Sequence, residues 1–139
     1  GIETAGVGGT SWSKIESLRG ADQTKRSVGD LFARWGISTA ESIQVCKAEL
    51  PHLKLIASGG IRNGIEIAKA LALGADAAAF ALPLLKAAQK SEDAAVEVIE
   101  RVKEELRTAM FVVGAKNIAE LKLKPLARAV DLTALAWGG

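Results

Sequence analysis

Apolar residues along the chain fall into short continuous runs and helical stripes, and the two kinds alternate. Ile2 to Ala5 reads as the end of a strand, closing on a glycine cluster, Gly6-Val7-Gly8-Gly9. Trp12, Ile15 and Leu18 then recur at helical spacing, and residues 20–27 are polar and read as a loop. Leu31 to Trp35 predicts a short helix stopped by Gly36. A longer helix follows from Thr39, taken as its N-cap, to about Leu50, where Pro51 ends it. Leu53 to Ala57 and Ala77 to Ala81 are apolar runs too short for helices, so both predict buried strands. Between them Ile65 to Leu73 is helical, with Ile65, Ala68, Leu71 and Ala72 expected to face inward and Gly74 as its stop. A helix is expected to start at Pro83. Residues 93–113 carry the most regular stripe, backed by a charged face of Glu97, Glu100, Arg101, Lys103, Glu104 and Arg107 that reads as solvated. One more turn is expected over Asn117 to Leu121. The tail from Lys122 has weak periodicity and no predicted element.

Strand, helix, strand, helix is the βα order of a parallel sheet, and continuous apolar strands predict burial on both faces. About three strands are visible, whereas a closed eight-fold barrel takes roughly 250 residues. The 139 residues therefore fit either a small open α/β domain or a piece of a larger barrel.

Composition narrows the partners. Apolar residues make up 49% and charged residues 24%, with a net charge of +2, which suits a folded soluble domain. Basic residues are interspersed with acidic ones and form no stripe, so nucleic acid is not an expected partner. No apolar run reaches the ~20 residues of a membrane span, and the first residues do not read as a signal peptide. A cytoplasmic protein without a membrane partner is expected. The single cysteine, Cys46, shares a helical stripe with Ile43 and Leu50 and reads as a buried small hydrophobe.

Candidate chemistry concentrates in Ser58-Gly59-Gly60-Ile61-Arg62-Asn63-Gly64, between a strand and a helix. Two glycines there let backbone approach a ligand, and the next helix start offers N–H groups and a positive dipole end to an anion. The blander reading is a tight turn with Asn63 as the helix cap. The following unit, Ala81-Leu82-Pro83, starts a helix with no capping side chain, leaving its first N–H groups for water or a ligand. A phosphate shared between these two loops is the reading both support. Trp12, beyond the first glycine cluster, fits either a pocket wall or outward helix packing. The one histidine, His52, precedes a strand and belongs at the opposite end.

The stretches AGVGGTSWSKIE, WGISTAESI, LIASGGIRNGIEIAKALALGAD, FALPLLKAA and ELRTAMFVVGAKNIAEL resemble, in the same order, the C-terminal portion of type 2 (FMN-dependent) isopentenyl diphosphate isomerases. The resemblance covers residues 1–122 and leaves 123–139 as a tail of uncertain structure. It implies an α/β fold, about strands 6–8 with their helices of a TIM-type (β/α)8 barrel. It further implies conversion between isopentenyl and dimethylallyl diphosphates with reduced FMN, Mg²⁺ for the diphosphate and NADPH as reductant. By this resemblance Thr4 lies near the flavin, and Gly59, Gly60, Ile61, Arg62, Ala81 and Leu82 hold its phosphate. The family's His-Leu-Asn-Pro-Ala-Gln-Glu segment, its flavin-contacting lysine and its N-terminal basic residues have no counterpart here. No catalytic or metal-binding residue is therefore assigned, and the chain alone is expected to be inactive. The alternatives are a non-catalytic or engineered barrel fragment that self-associates and at most binds FMN or phosphate, and another FMN-barrel oxidoreductase. Open strand edges also predict a homo-oligomer.

Overall fold

A computed structural model describes residues 1–20 and 22–127. Three parallel strands form one sheet in the order β1 (Ile2–Ala5), β2 (Leu55–Ser58), β3 (Ala77–Ala78). Between β1 and β2 come α1 (Trp12–Arg19), α2 (Gln23–Leu31), a 3-10 turn (Phe32–Arg34) and α3 (Thr39–Glu49). Then α4 (Gly64–Ala72) joins β2 to β3. The chain continues through α5 (Leu82–Ala88), the long α6 (Glu92–Val112) and α7 (Ile118–Leu121). Most of the tail expected from residue 123 onward lies outside the described residues.

The sheet has one covered face. Leu55 and Ala57 of β2 turn toward the helices and are buried with Ile43 of α3, Ile61, Ala70 of α4 and Ala75. Cys46 packs at the edge of the same cluster, as a small hydrophobe would. A second cluster joins Ala68 and Leu71 of α4 to Ala115 and Leu121. On the opposite face Glu3, Ala5, Ile56 and Ala77 are exposed, Ile56 by 40%. Two-sided burial is therefore not observed: within the described residues no layer lies over that face. β1 and β3 are both sheet edges.

Several boundaries move for local reasons. Residues 23–27, expected in a loop, are instead the start of α2, because Asp22 caps that helix by accepting from the Thr24 N–H. This helix is polar nearly all round and docks on α1 through small residues: a Cβ on Gly29 would come within 2.7 Å of the Ser17 Cβ. Ser38, not Thr39, caps α3, in a reciprocal capping box with Glu41. Ile65 of α4 is 55% exposed rather than inward. β3 is only two residues long, since it pairs with Ile56 and Ala57 alone. The charges along α6 pair with one another on the surface, Lys103 with Glu100 and Arg107 with Glu104.

At the N-terminal ends of the strands, Asp76 gathers the chain. Its carboxylate accepts from the Leu55 N–H at 3.0 Å and meets the ammonium groups of Lys122 at 3.3 Å and Lys54 at 3.4 Å. Those contacts join the α4–β3 turn to β2 and to the end of α7. The Leu55 N–H is the main cause holding the carboxyl down to about 2 from the ordinary 3.8; burial opposes it, and Lys122 and Lys54 add to it. A depressed carboxyl stabilises the fold above its unfolded pKa, and that contribution is lost as pH falls through about 2. Asp76→Asn should cost on the order of 1 kcal/mol near neutral pH. Urea melts should show the difference from the parent chain shrinking as pH drops from about 4 to about 2, and equal stabilities at neutral pH would contradict this role.

Candidate functional site

Because the strands are parallel, the loops that follow them gather at one end of the sheet. They enclose a pocket of about 530 Å³ lined by Gly6, Gly9, Thr10 and Trp12 from the first loop, and by Ser58 to Arg62 from the second. Phe80, Ala81, Leu82 and Leu85 line it from the third. The loop ahead of α4 and the start of α5 thus border the same space. His52 sits in the exposed turn before β2, at the other end. A larger hollow between α1 and α2, around Ser17, Gly29 and Phe32, holds no residue from the strand ends and lies outside this site.

The glycines serve the meeting of two loops more than the approach of a ligand. A Cβ on Gly60 would run into the carbonyl of Gly8, and one on Gly59 would sit 2.7 Å from the Gly6 carbonyl oxygen. A Cβ on Gly9 would lie 2.9 Å from the Gly59 Cα. Gly59 and Gly60 also hold φ of +96° and +86°, the left-handed region that favours glycine. Backbone here lies directly on backbone, and a side chain at any of these positions would part the loops.

Arg62 bridges the pair. Its guanidinium donates to the Gly60 carbonyl at 2.7 Å and to the Gly8 carbonyl at 3.0 Å. The planar fork of an arginine suits two acceptors at once. Thr39, at the start of α3, donates its hydroxyl to the Gly59 carbonyl at 2.6 Å. Val7 donates to the Ile37 carbonyl at 2.8 Å, which ties the first loop to the same segment.

Two expectations change at this point. The start of α4 is not open to an anion. Asn63 caps it through the Glu66 N–H, Glu105 of α6 accepts from Gly64 at 2.8 Å, and Glu66 accepts from Arg62 at 2.6 Å. The N–H groups left without a protein acceptor among the described residues include those of Gly9, Gly60 and Ile61, ahead of the helix. α5 keeps its uncapped start: no side chain caps it, and Pro83 is its second residue, after Leu82.

Thr4 is the second correction. Its register partner is Ala57, so both side chains turn to the helix layer. Thr4 is buried, with its hydroxyl 3.5 Å from the Ile56 carbonyl oxygen, and it does not line the pocket. Thr10 does, and the sequence reading had no role for it. Its signal was position alone: a hydroxyl directly after the glycine cluster on the same rim. Ile61 places its side chain in the core, 7% exposed, and offers the pocket only backbone. Trp12 proves to be both first residue of α1 and pocket wall, 76% exposed.

Comparison with known proteins gives the chain a family. Over 121 residues the chain is 47% identical to an isopentenyl-diphosphate delta-isomerase of Nostoc sp., covering 87% of this chain and 35% of that protein. A protein of the same name from Thermococcus onnurineus is 47% identical over 128 residues, covering 90% and 33%. The chain thus spans about a third of the length of the curated relatives it matches. Among solved structures, a flavocytochrome b2 mutant with benzoylformate superposes with a TM-score of 0.57 at 20% identity, over 94% of this chain and 44% of that one. At that identity the likeness concerns the fold, which is that of a TIM-barrel neighbour. Residues 34–128 match the FMN-dependent dehydrogenase family. With the match extending over more than half of its residues, the chain belongs to the FMN-dependent dehydrogenase family and resembles its isopentenyl-diphosphate delta-isomerases.

Proposed function

We propose that this chain is the flavin-phosphate end of a type 2 isopentenyl-diphosphate delta-isomerase, residues 1–122 forming about strands 6–8 of a (β/α)8 barrel with 123–139 as a tail. The observation that supports it most is the pocket at the strand ends, which is lined by Gly60 and Ile61, whose N–H groups lack protein acceptors among the described residues, and by Ala81 and Leu82 at the uncapped start of α5. An anionic group fits there because backbone donors cluster while the neighbouring carbonyls are drawn off by Arg62 and Thr39.

In this reading Gly59, Gly60 and Ile61 hold the FMN phosphate from one side, and the backbone at Ala81 and Leu82 holds it from the other. Arg62 braces the loops from the carbonyl side of these peptide units. Phe80, Leu82, Leu85 and Trp12 give the pocket an apolar wall. Thr4 supports β1 from the helix side and takes no part in binding. Bound reduced FMN would supply the proton-transfer chemistry that interconverts isopentenyl and dimethylallyl diphosphates, and the protein orients and shields it.

No residue of this chain is assigned to Mg²⁺, and among the described residues no three His, Cys, Asp or Glu side chains converge. NADPH enters only as a source of electrons, with no residue assigned to it. Action on a small diphosphate is placed in the cytoplasm as part of this proposal; among the described residues no helix is long and apolar enough to cross a membrane.

The bare sheet face favours a companion reading for the chain by itself. Glu3, Ala5, Ile56 and Ala77 and two open edges invite cover, which the remaining barrel strands give in a longer protein and a second copy gives in a homo-oligomer. Light scattering should then show a dimer or larger species at micromolar concentration. A stable monomer would count against it.

Two further outcomes follow from the site. Gly60→Ala should weaken FMN binding at least ~10-fold, on the order of 1.4 kcal/mol, because the added methyl group meets the Gly8 carbonyl; unchanged affinity in a fluorescence titration would contradict the loop contact. The purified chain should also give no isomerisation above background with reduced FMN and Mg²⁺, and measurable turnover would show that this pocket holds the whole catalytic apparatus.

A further inference from the structure

Three peptide units on the rim have their carbonyls held by side chains. Arg62 takes those of Gly8 and Gly60, and Thr39 takes that of Gly59. No peptide bond in the described structure is cis, and in a trans peptide unit the N–H points opposite to the C=O. The N–H partners of these carbonyls belong to Gly9, Ile61 and Gly60. All three residues line the pocket, and none of the three N–H groups has a protein acceptor among the described residues. They are also close together: a Cβ on Gly9 would lie 3.0 Å from the Gly60 nitrogen.

From this geometry we propose that Thr39, which lies outside the pocket, is a positioning residue of the phosphate site: with Arg62 it holds three loop carbonyls back so that the N–H groups of Gly9, Gly60 and Ile61 face one anion.

Without the Thr39 hydroxyl, the Gly59–Gly60 unit loses the bond that sets its plane. Glycines at +96° and +86° turn easily, so that peptide could then rotate and offer its carbonyl to the anion. Three aligned donors would become two donors and a repelling acceptor. Thr39 also carries the constraint from α3 to the pocket. Its backbone follows the Ser38 cap and its own side chain is free to reach across 20 residues of sequence. Serine keeps the donor; valine keeps the shape and loses it.

The inference rests on the flavin-phosphate reading, and two probes separate them. Inorganic phosphate is titrated into ¹⁵N-labelled chain while the amides of Gly9, Gly60 and Ile61 are followed, and FMN is titrated separately. Wild type and Thr39→Ser should shift all three amides together, whereas Thr39→Val should lose phosphate affinity by about tenfold or more and leave the Gly60 amide nearly still. Should Thr39→Val lose its dispersed spectrum, Thr39→Ala makes the same comparison. If phosphate moves the three amides but FMN does not bind, the flavin reading fails and the positioning role stands. If phosphate leaves them unmoved in the wild type, or if the variants lacking the hydroxyl respond as the wild type does, the positioning role is overturned.

Discussion

Backbone against backbone, without intervening side chains, is the contact on which the pocket depends. Gly8 lies on Gly60 and Gly6 on Gly59 because neither partner has a Cβ. Once the loops are that close, one guanidinium can reach a carbonyl on each, and a single hydroxyl from α3 can fix a third. The donors facing the pocket are a consequence of where those carbonyls go. Any larger residue at Gly60 would move the loops apart before it touched a ligand.

The same economy explains why the helix start of α4 is closed while the loop before it stays open. Asn63, Glu66 and Glu105 satisfy the N–H groups around the start of α4 with side chains, two of them carboxylates. An anion beside those carboxylates gains little from the helix dipole. It gains more from peptide units whose carbonyls are already engaged elsewhere, and from α5, where no side chain competes. The bare face of the sheet belongs to the same picture. In parallel sheets both faces are normally covered, and here, among the described residues, the helices cover the side of Leu55 and Ala57 and leave the other bare.

Much of this was legible along the chain, where the signal was local. β2 announced itself as an apolar run between Pro51 and Gly59, and α6 through its stripe. α2 did not, because it is polar nearly all round and is held by the Asp22 cap and by the close approach of Gly29 to Ser17. The glycine loops and the uncapped α5 stood out as candidates. What they do together did not: Arg62 reaches Gly8 across 54 residues and Thr39 reaches Gly59 across 20, and contacts of that range leave no periodic trace. Thr4 was misplaced for a related reason, since the face it takes depends on its register with Ala57. Asn63 could be read as a cap from its position before the helix, but Glu105 as a second partner for that turn could not.

The central claim is that this chain grips the phosphate of FMN rather than its ring. Comparing the dissociation constants of FMN and riboflavin, which differ only in the phosphate, tests it most directly. The account predicts that FMN binds at least ~10-fold more tightly, about 1.4 kcal/mol, and that added inorganic phosphate competes with it. Equal affinity for the two flavins, or FMN binding indifferent to phosphate, would contradict it.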